Sequence, residues 1–497
     1  MKRLKRLFLA SRLLGASVLA LCASLAIAGQ APGGASDKDV AISHHDRVYA
    51  AEQFSNTVSV TDPADNTLVG VIRLGDPEPM NFSPLYRGQL LVHGMGFSPD
   101  HRTLVVVSIG SNSVSFIDTA TNAVKHITYL GRSPHEAFFT PDGKEVWVTV
   151  RGENYVSVVD AKTFKEKGRI ETPNGPGMTI FSPDGKYGYV CSSFVPEIDV
   201  IAVKDHKIIA RVAQPSPFCP NIAATPDGKQ VWITLKDSGK TMVFDARPPF
   251  AVLKTMDTGP ISNHVNFVHT GAGQFAYVTI GGLNQVKVFR TDNFEQVATI
   301  EVGDLPHGIW PSGDGSRIYV GLENADELCV IDTATNTVVA NVPIGQAPQA
   351  LVYVPNAVPE GGGKSNLIPL GLAGSAVHID MGAPGATGKA PTSVTLFDQG
   401  LVQVLEAAVT GLAPGQHYVL SLADNIAGTG ALQPLTNFTA NPAGAAIVNA
   451  IGPIRQLVQP DSPAGQTLPT APRFLVISPG ATGQTAAPVQ VEVAPHS

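Results

Sequence analysis

The stretch that decides the fold is Thr140-Pro-Asp-Gly-Lys-Glu-Val-Trp-Val-Thr-Val150, a tight turn followed by a run of β-formers. Proline and glycine sit where the backbone torsion is fixed or positive, as in a turn, and the following residues have the character of a strand. The turn recurs at 97–101, 182–186 and 225–229, with degenerate copies at 271–274, 313–316 and 355–356. Because the spacing stays at 42 to 44 residues, the chain is built from repeats.

Each repeat holds enough β-forming runs for four short antiparallel strands. In the repeat quoted above, an apolar strand precedes the turn, and a third strand ends at Asp160 before a turn into a fourth. Four strands in a repeat of this length are typical of a β-propeller blade. These features resemble the YVTN family of β-propeller repeats, bacterial surface and periplasmic proteins related in fold to the propeller of haem-d-type nitrite reductase. The resemblance covers residues 47–356 and implies a fold more than an activity.

The number of blades follows from the inner strands. Six begin near residues 93, 135, 177, 220, 264 and 307, and a seventh, at 347–354, has no partner strands after it. The segment from Val48 to Leu74 contains three strands and lacks an inner one. We therefore predict an all-β fold with a seven-bladed propeller closed by its N-terminal strands, which removes free sheet edges.

The chain divides into five parts. Residues 1–28 have the basic start, apolar middle and small-residue end, Ala26-Ile27-Ala28, of a Sec-type signal peptide, so we expect a periplasmic or secreted protein cleaved after Ala28. Residues 29–46 are an N-terminal segment, 47–356 the propeller, and 357–366 a glycine-rich segment predicted to be a flexible linker. Residues 367–497 have further alternating runs and predict a small β-sandwich-like domain.

Composition and charge narrow the class of partner. Only 15% of residues are charged, while the 49 glycines and 39 prolines suit many short strands joined by turns. Removing residues 1–28 would take away five of the 34 basic residues and leave 29 against 41 acidic ones. We therefore expect no nucleic-acid partner, and no integral membrane segment once the signal is cleaved. A protein or a small molecule remains as the unidentified partner.

Three cysteines remain after the predicted cleavage, too few for a disulfide framework and without a C-x-x-C pair. The odd number leaves at least one unpaired thiol. Cys191 and Cys329 lie in predicted strands and are expected to be buried there. Cys219 would lie beside the channel mouth, either as a ligand or reactive thiol or as a half-buried inert one.

Four histidines occupy the same position of four repeats, at the start of the inner strand. Reading round the ring, this position is His93, His135, Gly177, Pro220, His264, His307 and Gln349. Neutral imidazole is a common ligand of zinc, copper and iron, so convergence at the channel mouth would make a transition-metal or haem site. The alternative is that the ring hydrogen-bonds loop backbones and lines a water-filled channel.

A second set of candidates ends the second strand of each blade and should form a polar rim on the same face. It includes Gln53, Arg151, Lys236 and Glu323, of which Arg151 and Lys236 are the candidates for contact with an anionic ligand. Residues 75–91 are a long insertion between blades seven and one, and loops of this length often cover or contact a site.

Three functions remain open, and whether the protein is an enzyme is among the open questions. The first hypothesis is an exported binding or interaction module that uses the channel-mouth face. The second is a metal- or haem-associated redox protein built on the four histidines. The third is a lactonase-like hydrolase, because seven-bladed relatives of that kind exist. No nucleophile elbow, phosphate loop or dinucleotide fingerprint occurs in a supporting context.

Overall fold

The computed structural model describes residues 41–75, 90–371, 376–386, 388–398, 403–452, 454 and 473–493. The predicted signal peptide, most of the N-terminal segment and residues 76–89 of the insertion lie outside these ranges. No helix in the described part of the chain has the length and apolar character needed to span a bilayer.

The first three strands of the chain belong to the last blade. They are β1 (Arg47–Glu52), β2 (Thr57–Asp62) and β3 (Thr67–Arg73). The other six blades each use four consecutive strands. Blade one has β4 (Val92–Phe97), β5 (Thr103–Ser108), β6 (Ser113–Asp118) and β7 (Val124–Tyr129). Blade two has β8 (Pro134–Phe139), β9 (Glu145–Val150), β10 (Tyr155–Asp160) and β11 (Glu166–Glu171). Blade three has β12 (Pro176–Phe181), β13 (Tyr187–Ser192), β14 (Glu197–Ala202) and β15 (Lys207–Ala213).

The remaining blades follow the same order. Blade four has β16 (Ile222–Ala224), β17 (Gln230–Leu235), β18 (Lys240–Asp245) and β19 (Val252–Asp257). Blade five has β20 (Ser262–Thr270), β21 (Gly273–Ile280), a 3-10 turn (Gly281–Leu283), β22 (Gln285–Arg290) and β23 (Gln296–Glu301). Blade six has β24 (Pro306–Pro311), β25 (Arg317–Leu322), β26 (Glu327–Asp332) and β27 (Thr337–Pro343). The inner strand of blade seven is β28 (Pro348–Val354).

The seventh blade closes the ring, as predicted. Its sheet has the order β28-β1-β2-β3, and β1 pairs antiparallel with β28 so that Tyr49 faces Val352. The buried Glu52 carboxylate accepts a hydrogen bond of 3.0 Å from the backbone N of Gly345, which joins the two ends of the propeller. The seven-bladed, N-terminally closed propeller is therefore confirmed.

The recurring turn owes its shape to its aspartate and glycine. In blade two, Thr140 Oγ1 donates to Asp142 Oδ1 at 2.7 Å, and the backbone N of Lys144 donates to the same oxygen at 3.2 Å. Gly143 has φ of 69°, a torsion that side chains with a Cβ rarely adopt. Equivalent contacts at Ser182–Asp184, Thr225–Asp227 and Ser312–Asp314 repeat the turn in blades three, four and six.

The C-terminal domain is all-β, and its strands form one continuous, nearly closed sheet. The strands are β29 (Val377–Gly382), β30 (Thr392–Asp398), β31 (Gln403–Val409), β32 (His417–Ala423), β33 (Leu432–Thr439), β34 (Ala446–Gly452), β35 (Phe474–Ala481), β36 (Gln484–Thr485) and β37 (Gln490–Glu492). Their order is β33-β32-β35-β37-β29-β30-β31-β34, with β36 attached to β35. The end strands β33 and β34 lie next to each other, and the concave face encloses an apolar core that includes Leu396, Leu405 and Ile477.

The segment 357–366 differs from the flexible linker that its glycines suggested. Ala357 and Val358 are fully buried in the propeller core. Asn122 Nδ2 donates to the backbone oxygen of Gly363 at 2.9 Å, and Val71 forms a bridge with Ile368 just beyond the segment. The glycines allow the chain to turn while it stays packed against blades one and seven.

The C-terminal domain lies on the channel-mouth face of the propeller. The ring of Phe397 packs on that of Phe54 with centroids 4.3 Å apart. Asn324 Nδ2 donates to the backbone oxygen of Ser393 at 3.1 Å, and the backbone N of Ala443 donates to the oxygen of Asp237 at 3.3 Å. The face that the sequence singled out for binding is therefore partly covered by the chain's own second domain.

Candidate functional site

The four histidines converge at the channel mouth. They stand near the start of the inner strands of blades one, two, five and six, and each is at most 8% exposed. Their ring centroids are 4.3 Å apart for His93 and His135, 4.7 Å for His264 and His307, and 6.4 Å for His93 and His307. The repeat register that was read from the sequence therefore places four imidazoles in one buried cluster, which we call the histidine cluster.

Two members of the histidine cluster are held by the backbone of the next blade. Nδ1 of His135 lies 3.0 Å from the oxygen of Gly177, and Nδ1 of His307 lies 2.7 Å from the oxygen of Gln349. Since a carbonyl oxygen only accepts, Nδ1 carries the proton in both residues and Nε2 keeps its lone pair. Gly177 and Gln349 occupy the equivalent position of their own blades, so these bonds tie neighbouring inner strands together.

The histidine cluster is neutral at ordinary pH. Burial lowers the pKa of His93 to about 3, with Arg151 and His264 adding repulsion. The pKa values of His135, His264 and His307 are also well below their usual value, first because of burial and then because of repulsion from other histidines of the cluster and from Arg151 or Lys236. Neutral imidazoles can accept a proton or bind a metal, but they cannot supply the positive charge that an anion needs.

The geometry of the histidine cluster does not gather metal ligands round a point. Among the described residues, no group of three or more His, Cys, Asp or Glu side chains is placed to hold a metal ion. The imidazoles instead meet through tilted and edge-on ring contacts. Binding of a transition metal or haem by His93, His135, His264 and His307 stays a prediction.

Below the histidine cluster the channel narrows to a small cavity of about 20 Å³, lined by His264 and by residues of the inner strands. Glu136 lies in this wall and is fully buried, and burial raises its pKa to about 8. A carboxyl group in the channel was not predicted from the sequence, although Glu136 directly follows His135 in the repeat. The cavity has room for little more than a water molecule.

Arg151 and Lys236 line a crevice of about 460 Å³ between the propeller and the C-terminal domain, which we call the interdomain crevice. Arg151 follows β9 and Lys236 follows β17, so blades two and four supply the two cations. The Arg151 guanidinium lies over the rings of Phe194 and Phe218, at 5.7 and 5.1 Å from their centroids. From the C-terminal domain, Asn441 and Ile447 complete the wall.

The two cations of the interdomain crevice outnumber its acidic lining residue, Asp237. Burial lowers the pKa of Arg151, and the charge of Asp237 acts against this shift. Burial raises the pKa of Asp237, while Lys236, a hydrogen bond from Asn441 and Arg151 act the other way. Arg151 Nε is buried without a hydrogen-bond partner in the described structure. This surplus of positive charge is what an anionic ligand would neutralise.

The other two rim residues have different surroundings. Glu323 is buried and accepts a hydrogen bond of 2.5 Å from Gln349 Nε2, and it faces Glu406 of β31. Burial, the charge of Glu323 and a hydrogen bond with it hold the pKa of Glu406 well above its usual value. Gln53 lies in blade seven, where its backbone N donates to the oxygen of Ala347 at 3.0 Å, and it does not line the crevice.

Cys219 forms a disulfide with Cys191, so the candidate thiol ligand or reactive thiol is wrong for Cys219. Both residues are fully buried, which also differs from the half-buried thiol considered as its alternative. The bond connects β13 of blade three to the loop before β16 of blade four. Cys329 is the free cysteine of the described residues and is buried, as expected.

Sequence reasoning missed the contribution of the C-terminal domain to the site. Glu406, Asn441 and Ile447 approach the rim only because the two domains pack face to face. No repeat or motif relates the two domains, so the sequence carries no register between them. The nearest signal in the sequence was the aromatic residue Phe194, directly after Ser193, which follows β13 as Arg151 follows β9.

One comparison with known proteins names the same fold, a seven-bladed propeller. The family model of seven-bladed β-propeller lactonases matches residues 130–339. The hydrazine synthase of Kuenenia stuttgartiensis is 22% identical over 54% of this chain and 90% of that one, with a TM-score of 0.48. A functionally unknown protein from Desulfotomaculum acetoxidans DSM 771 is 16% identical over 61% of this chain and 98% of that one, with a TM-score of 0.52. No curated protein matches the sequence. The chain thus contains a seven-bladed β-propeller that is similar, over residues 130–339, to the propeller lactonases.

Proposed function

We propose that the protein is an exported binding module that takes a small carboxylate ligand into the interdomain crevice. The observation that carries the proposal is the guanidinium of Arg151, half-buried beside Lys236 and without an ion-pair partner among the described residues. A buried cation without a partner costs free energy, and a bound carboxylate would recover it through charge-assisted hydrogen bonds.

The dimensions of the interdomain crevice suit a small molecule. Its volume of about 460 Å³ lies within the common range for ligand pockets, roughly 300 to 1,000 Å³. Its wall combines two cations with apolar surface from both domains. Such a mixture of few polar anchors and much apolar surface is typical of sites for small organic ligands.

The experiment is titration calorimetry of the mature protein with benzoate and octanoate, an aromatic and an aliphatic carboxylate. We expect at least one to bind with one site per chain, and Arg151→Met to weaken it by about tenfold or more, as loss of a charged hydrogen bond does. Lys254→Met, which removes an exposed cation of β19, is the matched control and should bind like the parent protein. Absence of carboxylate binding, or equal binding by Arg151→Met, would contradict the proposal.

The proposed location is the periplasm or the cell exterior. The signal-like residues 1–28 favour export, and the buried disulfide between Cys191 and Cys219 suits an oxidising compartment. A fusion of residues 1–40 to alkaline phosphatase should be active in intact cells. A version in which Lys2, Arg3, Lys5 and Arg6 are replaced by glutamate is the control and should not be.

Hydrolysis of a lactone is a second candidate function, favoured by the family model that matches residues 130–339. The structure adds a neutral imidazole that can accept a hydrogen bond from water, because His307 donates from Nδ1 to the oxygen of Gln349 and keeps the lone pair of Nε2. A panel of γ- and δ-lactones and aryl esters would show turnover above buffer that His307→Gln abolishes. Turnover no different from buffer across the panel would exclude this candidate.

A further inference from the structure

We infer that the ligand of the interdomain crevice is an aromatic carboxylate, whose ring stacks on Phe194 and Phe218 while its carboxylate meets Arg151 and Lys236. This inference rests on the proposed function and narrows it to one ligand class. It starts from the composition of the wall, which offers aromatic rings and cations side by side.

The first observation is the exposure of Phe194. This large aromatic side chain is 53% exposed, although it lies in a crevice between two domains. An aromatic ring left open at a concave surface, next to an unpaired cation, is typical of a place where another apolar group binds. The Arg151 guanidinium covers part of each ring, so a ligand can contact the rings and the cation together.

The second observation is that each ring is positioned by a specific feature. Gly175 lies under Phe194, and a Cβ at this residue would overlap the ring. Its φ of 77° also disfavours other residues. Phe218 directly precedes Cys219, whose disulfide with Cys191 fixes the loop to blade three. Gly175 therefore leaves room for the ring of Phe194, and the disulfide restrains the backbone next to Phe218.

The third observation is a further apolar part of the crevice wall. Ile261 of the propeller packs against Ala445 and Ile447 of the C-terminal domain. A flat ring between this wall and the two phenylalanines would bury both faces, while a carboxylate on its edge points to the cations. A thicker saturated ring has no quadrupole to match the guanidinium and the phenyl edges.

The test compares two carboxylates of equal carbon count, benzoate and cyclohexanecarboxylate, by titration calorimetry on the full mature chain. We expect benzoate to bind about fivefold more tightly, which is the usual gain from aromatic packing. In Phe194→Leu and Phe218→Leu, which keep an apolar side chain, the ratio of the two dissociation constants should fall close to one. Tyr129→Leu, on the exposed strand β7, is the control and should keep the fivefold ratio.

The outcomes separate the two proposals. If both carboxylates bind equally, or cyclohexanecarboxylate binds better, with full dependence on Arg151, the proposed function stands and the aromatic preference is overturned. If neither binds, the aromatic preference fails, and the proposed function fails with it unless octanoate binds. Neutral benzamide should bind at least tenfold more weakly than benzoate, and equal binding would show that the rings alone attract the ligand. Should Phe218→Leu misfold because of its place beside the disulfide, Phe194→Leu still decides, since that ring is 53% exposed.

Discussion

The histidine cluster and the interdomain crevice lie on the same face of the propeller but were built in opposite ways. The cluster comes from one position that four blades share, and its members are buried, neutral and, in two cases, bonded to the next blade. The crevice comes from positions where the blades differ, and it holds two cations and an exposed ring. The difference indicates that residues shared by the repeats stabilise the propeller, which we call the frame, and that residues in which the repeats differ form the recognition surface.

The largest effect that would test this comparison is on stability. His135→Ala combined with His307→Ala removes two buried rings and their hydrogen bonds to the oxygens of Gly177 and Gln349, of which Gly177 keeps the donor Thr149 Oγ1 at 2.8 Å. We expect a loss of about 4 kcal/mol in the free energy of unfolding, by the cost of buried truncations. Urea unfolding followed by tryptophan fluorescence measures it. A double variant that kept its stability but lost carboxylate binding would reverse the roles assigned to the two regions.

Removal of the disulfide should act on both stability and binding. Replacing Cys191 and Cys219 by serine opens a loop with a sequence separation of 28, which should cost about 3 kcal/mol. Because Phe218 adjoins the disulfide, we also expect weaker benzoate binding at temperatures where the variant stays folded. Cys329→Ser, at the free buried cysteine, is the control for the substitution itself and should leave benzoate binding unchanged. Unchanged binding by the double serine variant would show that the bond does not position the ring.

The pH dependence of stability should have two separate limbs. The lowered pKa values of the histidines mean that the folded state excludes protons, so stability is present above pH 6.5 and falls as pH drops toward 3. The raised pKa of Glu136 acts the other way, so its stability is present below about pH 4.5 and is lost as pH rises toward 8. Each limb should have a slope of about 1 kcal/mol per pH unit or more.

Variants of the titrating residues show which group causes each limb of the pH profile. Unfolding midpoints between pH 4 and 9 should show a flatter acid limb in the histidine double variant and a flatter alkaline limb in Glu136→Gln. Glu295→Gln, at an exposed carboxylate, should change neither limb. An alkaline limb that persists in Glu136→Gln but disappears in Glu406→Gln would move the effect from the channel to the contact between the domains.

The fold was readable from the sequence because turn and strand signals are local. The Thr140–Asp142 contact and the φ of Gly143 use residues within one turn, and the period then placed the four histidines in register. The position of the C-terminal domain was not readable, since its contacts, such as Phe54 with Phe397, join residues that no pattern relates. The disulfide was missed for the same reason, because Cys191 and Cys219 become neighbours only when blades three and four stand side by side.

The smallest expected effect concerns Ser193, which directly follows β13 of blade three at the position that Arg151 has in blade two. Ser193 lines the crevice, and its hydroxyl is buried without a hydrogen-bond partner in the described structure. Ser193→Ala therefore has no hydrogen bond to lose, and the free energy of unfolding should change by at most about 0.5 kcal/mol. Ser157→Ala is the matched control, because the buried Ser157 donates to Glu166 at 2.7 Å and its loss should cost about 1 kcal/mol.

If the ligand carboxylate also accepts from Ser193, benzoate should bind Ser193→Ala about threefold more weakly, in spite of the unchanged stability. If Ser193→Ala and Ser157→Ala lowered the free energy of unfolding equally, the Ser193 hydroxyl would stabilise the propeller itself. The distinction between repeated residues that stabilise the fold and varied residues that bind the ligand would then fail at this position.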